Sequence, residues 1–532
     1  MRRRALVPVF LLCVPACNGD ATNVVADDGA SSDDGADETG EPQSEGESTG
    51  AIETGEGSTS TTGGAAFEPI PARGIVVSSI EANQGVGVPI FANGTWVPAG
   101  SRNAELVKDR NMLVRAFWEI EPDFVPREIE ARIDLHLPDG SIESAAKTVL
   151  VEGPSDPADL DQSFWWGLPQ EMLVPGVEFQ ITLWETDFGQ EGTPEPSPLP
   201  AFPASPEPIG LEDSELALRV MLVPVHHDLG PQCAEPPLID QIAIDIFRDH
   251  LYVQNPVHEV EITGHPGIVW TDDLHSFGGL LGELAQLHAD VDPGMYVYGV
   301  VRPCDGGPQD VGGQAIDIPG PPSTGNSWSR TAVGRWYSSN LGQTAETFVH
   351  EIGHTQGRYH VACNGQEGGT TPLYPYAGGV IGVWGFDILA FDQLHKPDIA
   401  KDYMTYCGNT WVSDWGWHEV FPYVREITSW DVMDAQPPDS ELLVGLVDPT
   451  SGDETWIRTK GTATGRVPGF TESVELVDAD GIAHELPATI GSMGEHGGYN
   501  VVVALPDGID AKTASSLTRI SAGVRRPFAL AN

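Results

Sequence analysis

Eleven consecutive residues, His350-Glu351-Ile352-Gly353-His354-Thr355-Gln356-Gly357-Arg358-Tyr359-His360, carry three imidazoles and a carboxylate at spacings that suit a metal ion. The string reads H-E-x-x-H-x-x-G-x-x-H. Two histidines four apart lie on one face of a helix, about 5.4 Å apart along its axis. His350 and His354 can therefore offer two ring nitrogens to one ion. Glu351 projects in another direction, so it is placed to hold and deprotonate a zinc-bound water rather than to ligate. Gly357 can end the helix in a left-handed conformation that costs other residues energy. The chain then turns, and His360 can return as the third ligand. Three protein ligands plus water make the open arrangement of catalytic zinc, whereas structural zinc has four protein ligands. One Zn2+ is expected, lowering the pKa of its water to about 7 and polarising a carbonyl.

A helix must position these groups. Thr344 is the expected N-cap, and Phe348, Val349 and Ile352 supply an apolar face. An ordinary amphipathic helix with surface histidines accounts for a lone H-x-x-x-H, but not for the full pattern.

The motif resembles that of the metzincin zinc endopeptidases, most closely bacterial secreted or lipoprotein metalloproteases, among them mucin-cleaving ones. Metzincins carry a tight turn with a methionine beneath the metal. Downstream of His360 stands Asp402-Tyr403-Met404-Thr405-Tyr406-Cys407, in which Met404 matches that turn in type and placement. Tyr406 resembles the tyrosine that in some branches approaches the zinc and steadies the transition state. The resemblance covers the catalytic stretch only, and no residue matches a mucin-reading motif. It implies a zinc endopeptidase acting on extracellular proteins or glycoproteins, with Glu351 and Tyr406 catalytic.

The N-terminus reads Met1-Arg-Arg-Arg4, an apolar run from Ala5 to Val14, then Pro15-Ala16-Cys17. This is the pattern of an export signal, and Ala16 before Cys17 resembles a lipoprotein cleavage site. Cys17 is expected to carry a lipid anchor, the chain's only tie to a membrane, in the bacterial envelope or outside the cell. No stretch has eighteen consecutive apolar residues. With Cys13 and Cys17 set aside, four cysteines remain: Cys233, Cys304, Cys363 and Cys407. An even number in an exported chain reads as two disulfides, with three connectivities open. The resemblance favours Cys363 with Cys407, since one follows the third ligand and the other the Met404 turn, leaving Cys233 with Cys304. Arg302-Pro303-Cys304-Asp305 superficially resembles the cysteine switch of latent metzincins, but it differs in residue order and lies inside the catalytic stretch.

The 532 residues hold 27 Lys and Arg against 78 Asp and Glu, a net charge of -51. A surface so acidic argues against nucleic acid and against adhesion to anionic lipid. A monomer is expected.

The fold class expected is multidomain, with an α/β metzincin-like zinc protease domain flanked by N- and C-terminal β-sandwich domains. Residues 1–17 form the signal, and 18–66 an acidic Ser- and Gly-rich stalk too poor in apolar residues to fold. Residues 67–190 show short alternating apolar runs, such as Ile129 to Leu137, and read as a β-sandwich. Phe164-Trp165-Trp166 can be core or a carbohydrate platform. Residues 191–210 read as a proline-rich linker. In 211–435 strands alternate with helices: Leu216–Val225, Val257–Ile262 and Met295–Val301 as strands, Leu238–Leu251 and Gly278–Ala289 as helices. Residues 436–532 read as a second sandwich, with Asp478-Ala479-Asp480-Gly481 a hairpin turn rather than a calcium loop. The other reading open to this chain is a surface adhesin or glycan-binding lipoprotein on a non-catalytic metzincin fold. An intact Glu351 speaks against it, since binding alone needs no general base.

Overall fold

The computed structural model describes residues 70–186, 189, 200–308, 311–365, 367–433, 440–463, 472–494, 497–509 and 511–528. The export signal, Cys17 and the acidic stretch 18–66 lie outside the described residues. The rest is a mixed α/β protein of several sheets.

A central sheet positions the site. Four strands run parallel in the order Glu259–Gly264, Ala217–His227, Tyr296–Val301 and Thr331–Arg335, and Gly313–Ala315 adds an antiparallel edge. Every residue of Tyr296–Val301 is buried, as expected of a parallel strand covered on both faces. Its alternation assigns the layers. Tyr298 and Val300 join the core formed with helix α1 (Gln241–Gln254) and helix α3 (Leu341–Thr355). Val297 and Val301 meet Leu280, Leu281 and Leu284 of helix α2 (Gly278–Leu287) on the other face. Helix α4 (Asp414–Met433) follows the Met404 turn.

Upstream, two antiparallel sheets face each other. Ile129, Ala131, Ile133 and Leu135 of Arg127–His136 point inward, as do Phe179, Ile181 and Leu183 of Glu178–Glu185. They share a core with Ile80, Val114 and Phe164 of the opposing sheet. Phe164 and Trp166 are buried in this core. Ala201–Pro208 falls in the stretch expected to be a linker, yet it pairs with Glu178–Glu185 as a strand. It lies at the sheet's edge, where Pro203, Pro206 and Pro208 need donate to no further strand. Buried Arg110 ties this region to helix α1 and the residues after it, donating to the carbonyls of Gln84, Tyr252 and Val257.

Downstream, one sheet runs Glu454–Lys460, Glu441–Val447, Tyr499–Ala504, Thr489–Ser492, and a second runs Ala483–Pro487, Glu472–Val477, Ser516–Ser521, Val524–Phe528. The first is buried on both faces. Leu443, Val501 and Val503 meet the second sheet, while Leu442, Val444, Leu446 and Ile457 enter the core of α2. Gly282 permits that approach, because a Cβ there would stand 2.6 Å from Ile457. Asp478-Ala479-Asp480-Gly481 forms a hairpin turn, with Asp478 Oδ1 accepting from the N–H groups of Asp480 and Ile482.

Two disulfides, Cys233–Cys304 and Cys363–Cys407, mark a chain matured in an oxidising compartment. Cys304 is thus bound in a disulfide, as a switch cysteine is not. Among the described residues no helix is long and apolar enough to cross a membrane.

Candidate metal centre

Helix α3 starts one turn before the expected cap. Asn340, not Thr344, is the N-cap, its Oδ1 accepting from Gln343 N at 3.1 Å. Thr344 lies inside the first turn, buried, where its hydroxyl accepts from Tyr337 N at 3.0 Å. Both residue types satisfy an orphan N–H, and the docking of Ala345 and Phe348 decides between them. Phe348 meets Phe247 and Tyr298 edge-on, with centroids 4.9 and 4.8 Å away.

The helix ends at Thr355 in two reciprocal bonds. Arg358 N donates to Gly353 O at 3.0 Å, and Gly357 N to His354 O at 2.9 Å. This is a Schellman ending, with Gly357 at φ +82 in the left-handed region. A Cβ on Gly357 would also stand 2.8 Å from Pro319 O. The turn carries the chain back so that His360 faces the helix.

His350, His354 and His360 gather with ring nitrogens all within 4.8 Å of one another. Each donates its Nδ1 proton to a backbone carbonyl: His350 to Tyr403 at 2.8 Å, His354 to Arg358 at 2.7 Å, His360 to Gly368 at 2.5 Å. A carbonyl only accepts, so each ring carries a proton on Nδ1, and a neutral ring held in this way offers Nε2 to a metal. The Nε2 atoms of His354 and His360 stand 3.1 Å apart. A metal ion held by both would lie between them. Nitrogens about 2.0–2.1 Å from one tetrahedral zinc stand about 3.4 Å from each other. The donor set therefore fits a metal ion, and the carbonyls orient the ligands from behind.

Glu351 is buried beside the triad, against the sheet edge. A Cβ on Gly313 would lie 2.6 Å from its Cγ and 2.7 Å from its Oε1. Met404 is fully buried beneath α3. Its turn is shaped by Asp402, whose Oδ1 accepts from Met404 N at 2.9 Å and whose Oδ2 accepts from Ser413 Oγ at 2.5 Å. Arg358 lies 3.7 Å from Asp402, both buried, and its guanidinium covers the Trp415 ring at 4.7 Å. Tyr406 is half-exposed, its ring centroid 4.8 Å from that of His360 and 6.0 Å from that of His350.

Glu367 braces the loop after His360. Its carboxylate accepts from the N–H groups of Cys363, Gly365 and Tyr406. Burial opposes its ionisation, but these backbone donors prevail and hold its pKa below the usual value. The Cys363–Cys407 bond closes the same loop.

Sequence reading named the histidines, Glu351, Met404 and Tyr406, but passed over Gly313, Gly353, Glu367 and Asp402. Gly353 did leave a signal, since a glycine inside a helix is unfavourable unless something needs the space. Elsewhere, His227 is buried, bonded to Asp272 O and Cys304 N, and among the described residues joins no ligand group. Asp414 accepts from Asn103 and Tyr376, a structural arrangement. Comparison with known protein families and with curated proteins gives no match.

Proposed function

We propose that this chain is an exported zinc endopeptidase, a monomer anchored through Cys17, that cleaves extracellular proteins or glycoproteins. In this reading 211–435 is the protease domain, of metzincin type, and the flanking sandwiches position it. The observation that carries the reading is the clustering of three histidines, each bonded through Nδ1 to a backbone carbonyl, with a buried carboxylate beside them. His350, His354 and His360 would hold the ion.

When bound, zinc supplies Lewis acidity toward a carbonyl and makes water acidic enough to ionise near neutrality. Glu351 takes a proton from the attacking water and passes it to the amine nitrogen as the peptide C–N bond breaks. Tyr406 donates a hydrogen bond to the carbonyl oxygen as it gains charge. The antiparallel edge Gly313–Ala315 lies next to Glu351 and suits an extended peptide, which can add to a sheet edge through backbone bonds.

The test incubates residues 67–532 and Glu351→Gln with a mixed extracellular proteome rich in glycoproteins, and maps new N-termini by mass spectrometry. New termini with the wild type only, abolished by a chelator, are expected. Equal patterns from both proteins, or none from zinc-loaded wild type, would remove the endopeptidase reading.

A further inference from the structure

One buried ion pair joins the two turns that orient His350 and His354. Arg358 O accepts from Nδ1 of His354 at 2.7 Å, and Tyr403 O accepts from Nδ1 of His350 at 2.8 Å. These two carbonyls lie far apart in sequence, yet side chains of their segments meet. Arg358 Nη2 stands 3.7 Å from Asp402 Oδ1, with the two side chains 3% and 0% exposed. The same Oδ1 accepts from Met404 N, so the charge opposite Arg358 also shapes the turn that carries Tyr403. The guanidinium carbon lies 4.7 Å from the Trp415 ring centroid and 5.7 Å from that of Tyr403. Gly416 leaves room for it, since a Cβ there would stand 2.6 Å from Nη1 of Arg358.

Stability does not account for this pair. At 3.7 Å it is a contact between charges rather than a hydrogen bond. Taking both charges out of water is costly, and well-packed apolar groups in their place are often neutral or stabilising. What a buried pair supplies instead is register: it favours one arrangement of the two segments that carry it. Resting on the zinc reading, we propose that Arg358 is a positioning residue of the metal centre. Through Asp402 its guanidinium locks the turn behind His354 to the turn behind His350, so that both rings present Nε2 to one ion. Its contribution is to metal affinity and ligand geometry, as for other groups that orient ligands from behind, and not to folding.

The test removes both charges and keeps the backbone bonds. It combines Arg358→Met with Asp402→Asn, whose new amide oxygen can still accept from Met404 N. The double variant and wild type are compared by urea unfolding of the metal-free full chain and by Co2+ titration followed in the visible spectrum, so that no turnover is needed. The unfolding midpoint should stay at or above the wild-type value, while the Co2+ Kd rises about tenfold and the absorption bands shift. A wild-type Kd and spectrum overturn the proposal. Should the midpoint fall, or the double variant not fold, Arg358→Lys decides, since it keeps a cation opposite Asp402 but loses the planar group on Trp415. For Arg358→Lys, a raised Co2+ Kd at the wild-type midpoint supports the proposal, and any other result overturns it. If wild type takes up no Co2+ at all, the zinc reading fails first, and the positioning role falls with it.

Discussion

A Cβ on Gly353 would stand 2.5 Å from the sulfur of Met404 and 2.8 Å from the Tyr403 ring. The Met404 turn therefore meets helix α3 at a residue with no side chain. Since Tyr403 O also holds His350 Nδ1, whatever moves this turn moves one of the three clustered histidines. Gly353→Ala gains about 1 kcal/mol of helix propensity, but overpacking a tight contact costs about 1–3 kcal/mol. The second effect should win, with stability lowered by about 1 kcal/mol and zinc held more weakly. Urea unfolding and chelator competition measure the two. A variant equal to wild type in both would show that the contact has slack.

Glu351→Gln keeps the side chain's size against Gly313 and removes the base. Zinc stoichiometry should stay at the wild-type value while turnover falls by about 10²–10⁴-fold. Metal analysis beside a peptidase assay separates the two. Loss of zinc together with activity would make Glu351 part of the binding site instead.

The Cys363–Cys407 bond closes a loop with a sequence separation of 44 that carries Gly368, the carbonyl partner of His360. Cys363→Ser with Cys407→Ser should cost about 3–4 kcal/mol by loop entropy and speed zinc release to a chromogenic chelator. Release at the wild-type rate would separate the disulfide from the metal centre.

Burial pushes the Asp317 carboxyl up to about 7, against the hydrogen bonds it accepts from Asn500 and Ile318. Unfolded, it returns to its ordinary value of 3.8. Between those values the folded state binds the extra proton, so stability falls as pH rises through that window, by at most about 1.4 kcal/mol per pH unit. Below the window both states are protonated and the full stability remains. Asp317→Asn should flatten this slope in melts taken from pH 4 to 7. An unchanged slope would place the pH dependence elsewhere.

The metal triad was legible because its geometry is local. Helical spacing aligns His350 with His354, and a glycine ending returns His360 within a few residues. The alternation at Ile129 to Leu135 and the strand at Tyr296 were legible for the same reason, each carrying its periodicity in its own residues. The start of α3 was misread because Asn340 and Thr344 are both good caps, and only docking chooses between them. Prolines at 203, 206 and 208 suggested a linker, since sequence does not tell an edge strand from an extended spacer.

The core shared by α2 with Leu442, Val444, Leu446 and Ile457 bears on how such a chain can change over generations. A coding sequence that lost the C-terminal strands would leave Leu280, Leu281 and Leu284 facing water. One that received a foreign tail would have to match that surface. The part that carries the three histidines and its C-terminal sheet thus share one core, and a tail exchanged as a cassette would have to rebuild that core to be tolerated.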